Sequence, residues 1–178
     1  MTEDTDKKTR YQSFVEYTID RCSQDKGLAA RLRRADNPTT EYQSWEHLGA
    51  FGINLEKKYE RIPFAIIAAN IAKTKSKHNG NMALGSAIAN CYKDGNQSRP
   101  ANARLRRLIA CNDLLELTGV LRPLLSLIAS KSNGSLDYIR LLQQLQSFRF
   151  DEQRTRTKAQ WAQEFYVTKP ALKAEVTA

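Results

Sequence analysis

The sequence predicts an all-α protein made of two small helical subdomains, with about eight or nine helices in total. Apolar residues recur at i, i+3 and i+4 along nearly the whole chain, the spacing of one buried helix stripe. β-Branched residues are sparse and no alternating run survives, so strands are not expected. The apolar fraction of 41% in 178 residues is enough for a real core.

The elements follow in order. In RYQSFVEYTIDRC, the residues Tyr11, Phe14, Val15, Ile19 and Cys22 form one stripe. Asp25 is placed to cap a second short helix, DKGLAARLRRA, which should stop near Asn37-Pro38. TEYQ (Thr40 to Gln43) has the form of a capping box and opens a helix expected to carry Tyr42, Trp45 and Leu48 inward. Glycines in LGAFG end it. Pro63 suits the first turn of the next helix, where its missing N–H costs nothing. That helix, PFAIIAANIAKTK, is apolar nearly all round and should be central to the first half.

NGN (Asn79 to Asn81) marks a turn. After it, Met82, Leu84, Ala87, Ile88 and Cys91 follow helical spacing, and Gly85, Ser86 and Ala89 permit close helix–helix approach. KDGNQSRP (Lys93 to Pro100) is the best linker, dividing the chain into subdomains 1–97 and 98–178. Four helical stretches should follow: ANARLRRLIA, LLELTGVLRPLLSLIAS, LDYIRLLQQLQSF and a last one centred on QWAQEFY. Pro123 should kink or restart the second of them, and Ser135 should cap the third. The tail after Tyr166 should fray.

No catalytic or metal site can be assembled. The three cysteines (Cys22, Cys91, Cys111) lack zinc-site spacing and read as buried free thiols. His47 follows a tryptophan on an amphipathic helix and His78 lies in a polar turn. No Gly-rich phosphate loop, HExxH or GxSxG occurs, so neither catalysis nor a cofactor is expected. No apolar run approaches the roughly twenty residues that span a bilayer, and MTEDTDKK leads into no signal-peptide core. The expected location is the cytoplasm, with no membrane partner.

Charge is the informative feature. The chain carries a net charge of +9, and residues 73–107 hold eight basic side chains against one acid, Asp94. A phosphate backbone rewards such concentration; solubility does not need it. The pentapeptide ARLRR occurs twice, in LAARLRRAD and in NARLRRLIA, but its surroundings differ and the halves do not align. Internal duplication is rejected. On a helix, Arg31 and Arg34 share a face with Arg33 to the side, while Leu28 and Leu32 anchor the opposing stripe. In the second copy Arg104 and Arg107 are the shared pair and Arg106 flanks them, with Leu105, Leu108 and Ile109 turned inward. Lys93 and Arg99 back this second copy. Guanidinium groups bind phosphate oxygens bidentately, and neither knot contains an acid. Aromatics mostly occupy core stripes and no base-reading helix stands out, so contact with backbone regardless of sequence is expected.

The run LGSAIAN, a short polar gap, NARLRRLIACND and then VLRPLL resembles the CasB family, the small subunit of the subtype I-E CRISPR surveillance complex, Cascade. LAARLRRA followed by an aromatic helix ending in AFG is similar to that family's N-terminal half. The likeness covers about Arg10 to Tyr166. It implies a non-catalytic, all-α protein of two subdomains. Two copies would sit head to tail in the complex, touching the backbone and large subunits. The basic surface would meet the guide RNA, the target strand and the displaced non-target strand, in antiviral defence. Carried over by position, it points to Arg31 and Arg34, to Arg104 and Arg107, and to Arg122 in VLRPLL. Arg154 and Arg156, expected ahead of the last helix, fall in a region that is basic in relatives. Two rival readings stand beside it: an assembly scaffold whose basic faces meet acidic protein partners, and a stand-alone helical DNA-binding regulator.

Overall fold

A computed structural model describes residues 8–132 and 134–168. It places nine α-helices and two 3-10 turns among them, with one isolated parallel bridge, Met82 to Leu136, as the sole β-pairing there. The all-α class is as the sequence predicts. The chain divides into two compact units, Met1–Asn79 and Gly80–Ala178.

In the first unit, α1 (Arg10–Gln24) starts where Thr9 accepts from the Gln12 N–H. Asp25 closes α1 and opens α2 (Lys26–Arg34), its side chain accepting from the Leu28 N–H at 2.9 Å. These bonds hold the Asp25 carboxyl below its usual range. A 3-10 turn, Glu41–Ser44, runs into α3 (Trp45–Ala50). Helix α4 (Lys58–Thr74) is the centre of the unit, with every residue from Ile62 to Ala72 buried. It starts earlier than the sequence suggests, so Pro63 lies inside the helix, beyond its first turn. Phe14 packs edge-on against Phe64 at 4.7 Å and against Phe51 at 5.1 Å, locking α1 over α4.

The stretch from Thr40 departs from expectation. Thr40 makes no cap; its hydroxyl donates instead to the Arg34 carbonyl at 2.6 Å, closing the end of α2. Three residues per turn in the 3-10 segment shift the phase, so Glu41, Ser44, His47 and Leu48 face inward. Tyr42 and Trp45, expected inside, are 59% and 40% exposed.

The second unit holds α5 (Leu84–Asn90), a 3-10 turn Gly95–Gln97, α6 (Arg99–Ala110), α7 (Leu114–Lys131), α8 (Tyr138–Ser147) and α9 (Asp151–Val167). Met82 sits in the bridge, ahead of α5. The small residues expected to allow close packing do so at Gly85, where an added Cβ would come 2.1 Å from the Trp161 carbonyl oxygen of α9. This packing is why the division falls after Asn79 and not within Lys93–Pro100. That segment is itself folded: Gly95 is buried with φ +52°, Asn96 donates to the Tyr166 carbonyl at 2.6 Å, and Ser98 caps α6. Helix α7 continues through Pro123 without restarting. Asp137, not Ser135, caps α8. Trp161, Phe165, Phe148 and Tyr138 fill the core, and the Trp161 indole N–H donates to Gln144 at 2.9 Å. The tail expected to fray lies, from residue 169, outside the described residues.

Candidate nucleic-acid interface

Both arginine knots lie on helices, anchored as the spacing requires. In α2, Leu28, Ala29 and Leu32 are buried. Arg34 is exposed and makes no side-chain contact with a partner among the described residues. Arg31 is half-buried and loosely held, with Nη2 3.7 Å from Glu46. Arg33 is exposed and leans the other way, reaching the Ala72 carbonyl at 3.5 Å.

Helix α6 carries the stronger cluster. Ser98 caps it, Pro100 occupies its first turn, and Ala101, Leu105 and Leu108 are buried. Lys93, Arg99, Arg106 and Arg107 are exposed and engage no acid among the described residues. Arg104 is half-buried, and its Nε donates to the Tyr92 hydroxyl at 2.8 Å, which fixes the guanidinium. Arg104 and Arg107 line one cleft of about 80 Å³ with Gly119, Val120, Pro123 and Leu124 of α7. The i, i+3 pair expected from the sequence does share a face.

Three expected positions come out differently. Arg122 is only 9% exposed on the packed side of α7, between the buried Leu121 and Leu124, so it does not belong to the exposed set. Arg154 and Arg156 lie within α9, not ahead of it. Arg154 is already paired, donating to the exposed Asp151 three positions back on the same helix at 2.6 Å, with its own side chain 20% exposed. Arg156 remains exposed.

His47 and the three cysteines serve packing. His47 stacks on Tyr17 at 4.9 Å and shares a 2.9 Å hydrogen bond with Thr18; burial, helped by Arg21, holds its pKa down at about 4. Burial raises all three thiols, Cys22 to about 11, so they stay protonated at neutral pH. Cys91 and Cys111 are buried as expected, and Cys22 is half-buried. Among the described residues no group of three or more His, Cys, Asp or Glu is placed to hold a metal, and no helix is long and apolar enough to cross a membrane.

Sequence reasoning missed Arg61, which donates from Nε to Glu41 at 2.6 Å and lies over the Trp45 ring. Its partners are sixteen and twenty positions away, and no local period signals such a contact.

Residues 28–166 match the sequence model of a family described as CRISPR-associated protein Cse2. The fold is similar to that of CasB from M. ruber, with a TM-score of 0.70 and 29% identity over 89% of this chain and 93% of that one. It is also similar to a Cse2-family CRISPR-associated protein from Thermus thermophilus (TM-score 0.69, 21% identity, 88% and 97% covered). CasB from Thermobifida fusca is a further neighbour (TM-score 0.65, 20% identity, 89% and 98% covered). The last two likenesses speak to fold alone. No curated protein sequence gives a match.

Proposed function

The chain belongs to the CRISPR-associated Cse2 family, and we propose that it acts as a non-catalytic small subunit of a Cascade surveillance complex, gripping nucleic-acid backbone without reading sequence. The observation that carries this reading is the outer face of α6. Arg99, Arg106 and Arg107 stand exposed there, with the exposed Lys93 ahead of the helix, and no acid among the described residues neutralises them; buried leucines hold the helix from behind. An ordinary solvated helix face mixes signs; this one does not. The α2 knot supplies a second, weaker grip through Arg34 and Arg31.

Opening a duplex against a guide RNA exchanges DNA pairs for RNA–DNA pairs of similar stability, so contacts to the backbone tip the balance. Each arginine contributes about 1 kcal/mol after desolvation, enough for several together to lengthen the lifetime of the open state by orders of magnitude. A subunit serving any target gains nothing from base readout. In this reading its partners are the guide RNA, both DNA strands, a second copy of itself, and the backbone and large subunits, all in the cytoplasm.

The test is charge reversal within the assembled complex. Arg106→Glu with Arg107→Glu should shorten R-loop lifetime about tenfold or more at physiological salt, with complex assembly intact. An unchanged lifetime would overturn the reading, as would crosslinks from the α6 face to protein subunits alone.

A further inference from the structure

Tyr42 and Trp45 are the aromatic side chains that the sequence places inside and the structure places outside, at 59% and 40% exposure. They stand three positions apart across the 3-10 turn, where side chains at i and i+3 eclipse, so both rings leave on one side. Trp45 is held from behind. The Arg61 guanidinium lies 5.3 Å from its ring centroid, and Arg61 is itself pinned by Glu41 and by the Leu55 carbonyl, each at 2.6 Å. The orientation of the indole is therefore set before any ligand arrives.

The same turn is stitched to the first arginine knot. Thr40 donates to the Arg34 carbonyl at 2.6 Å, and Arg31 lies 3.7 Å from Glu46, the residue after Trp45. Of the acids in this segment, Glu41 faces inward onto Arg61, while Glu46 is exposed and lies 3.7 Å from Arg31, which offsets its charge. Both aromatic rings and the exposed Arg34 reach solvent from this segment.

We propose that Tyr42 and Trp45 form a stacking platform for the unpaired bases of a single strand, with Arg34 holding a flanking phosphate. This rests on the backbone-gripping reading above and adds to it a preference for single strand over duplex. In a duplex both faces of each base are already covered; only an unpaired base offers a face to an aromatic ring. Stacking tolerates any base, as a subunit indifferent to sequence requires, and each stacked base is worth about 1–3 kcal/mol.

The chain has two tryptophans, which makes the test direct: Trp45 is exposed and Trp161 is fully buried. The full-length protein is titrated at low salt with a short oligothymidine and with a duplex of equal length. The single strand should quench tryptophan emission and the duplex should not. Trp45→Phe should abolish the quench, while the remaining Trp161 emission reports an intact fold. Trp45→Ala and Tyr42→Ala should each weaken single-strand binding about tenfold and leave duplex binding nearly unchanged, whereas Arg34→Glu should weaken both. Single-strand binding without a quench, or aromatic variants that weaken both forms equally or neither, would overturn the platform and spare the backbone grip. Failure of the wild type to bind either form would remove both readings.

Discussion

Arg61 joins a buried carboxylate, a backbone carbonyl and an aromatic ring, with its side chain 16% exposed and that of Glu41 9% exposed. Breaking a buried pair by removing one partner is costlier than replacing both, because the surviving charge keeps its desolvation penalty. Arg61→Ala should therefore lower stability by about 3 kcal/mol in urea titration. The double variant Arg61→Met with Glu41→Leu should recover much of that loss. His47 makes a second, pH-dependent prediction. Its folded pKa is held down at about 4, from an ordinary 6.5. Between those values the unfolded chain binds a proton that the native chain refuses, so stability is full above pH 6.5 and falls as the pH drops toward 4. The limiting size is about 3 kcal/mol, and His47→Gln should flatten the slope over that window.

Among the elements, the α5–α9 contact decides most. Helix α5 has Ala83 at its N-cap and no capping side chain of its own; the Gly85 N–H donates instead to the Glu164 carboxylate of α9 at 3.2 Å. Glu164 also pairs with Arg140 of α8, and burial raises its pKa against the pull of those partners. Gly85→Ala would drive a Cβ into the Trp161 carbonyl, a backbone atom that cannot step aside. It should cost about 3 kcal/mol in stability. Gly119 in α7 is the control, since a Cβ there meets nothing within 4 Å. Gly119→Ala should stabilise by about 0.5–1 kcal/mol through helix propensity, read as a rise in Tm. The close approach at Gly85 was legible in LGSAIAN, as were α1, α2, α6, α7 and α8, because a 3.6-residue stripe survives in each of them. The turn at Glu41–Ser44 was not. Four residues cannot display a period, and a change from 3.6 to 3.0 residues per turn sends Tyr42 and Trp45 to the opposite side. Arg122 shows the same limit at the candidate site, since a cation beside leucines reads as an outward base until the packing of α7 is known.

At the scale of the whole chain, the position of the boundary makes a prediction on which composition and contacts differ. KDGNQSRP has every mark of a linker in its residue types, yet Asn96 donates to Tyr166 and Asn102 donates to the Asn96 carbonyl at 2.7 Å. Polar turn residues label a change of direction, and only long-range bonds reveal whether the turn is inside a unit. If α5 belongs with α6–α9, a fragment of residues 80–178 retains the helix that covers Trp161 and Phe165, whereas 98–178 exposes that face of α9 and leaves the Glu164 carboxylate without the Gly85 N–H. The longer fragment should give a helical circular dichroism spectrum and melt cooperatively. The shorter one should melt without a sharp transition and bind hydrophobic dye. Equal cooperativity in the two would return the boundary to Lys93–Pro100. Because α6 carries its basic face in either piece, the longer fragment should also keep salt-dependent DNA binding, with log K falling by about 0.9 for each duplex phosphate engaged. A flat salt response from a folded fragment would mean that the α6 arginines do not grip the backbone.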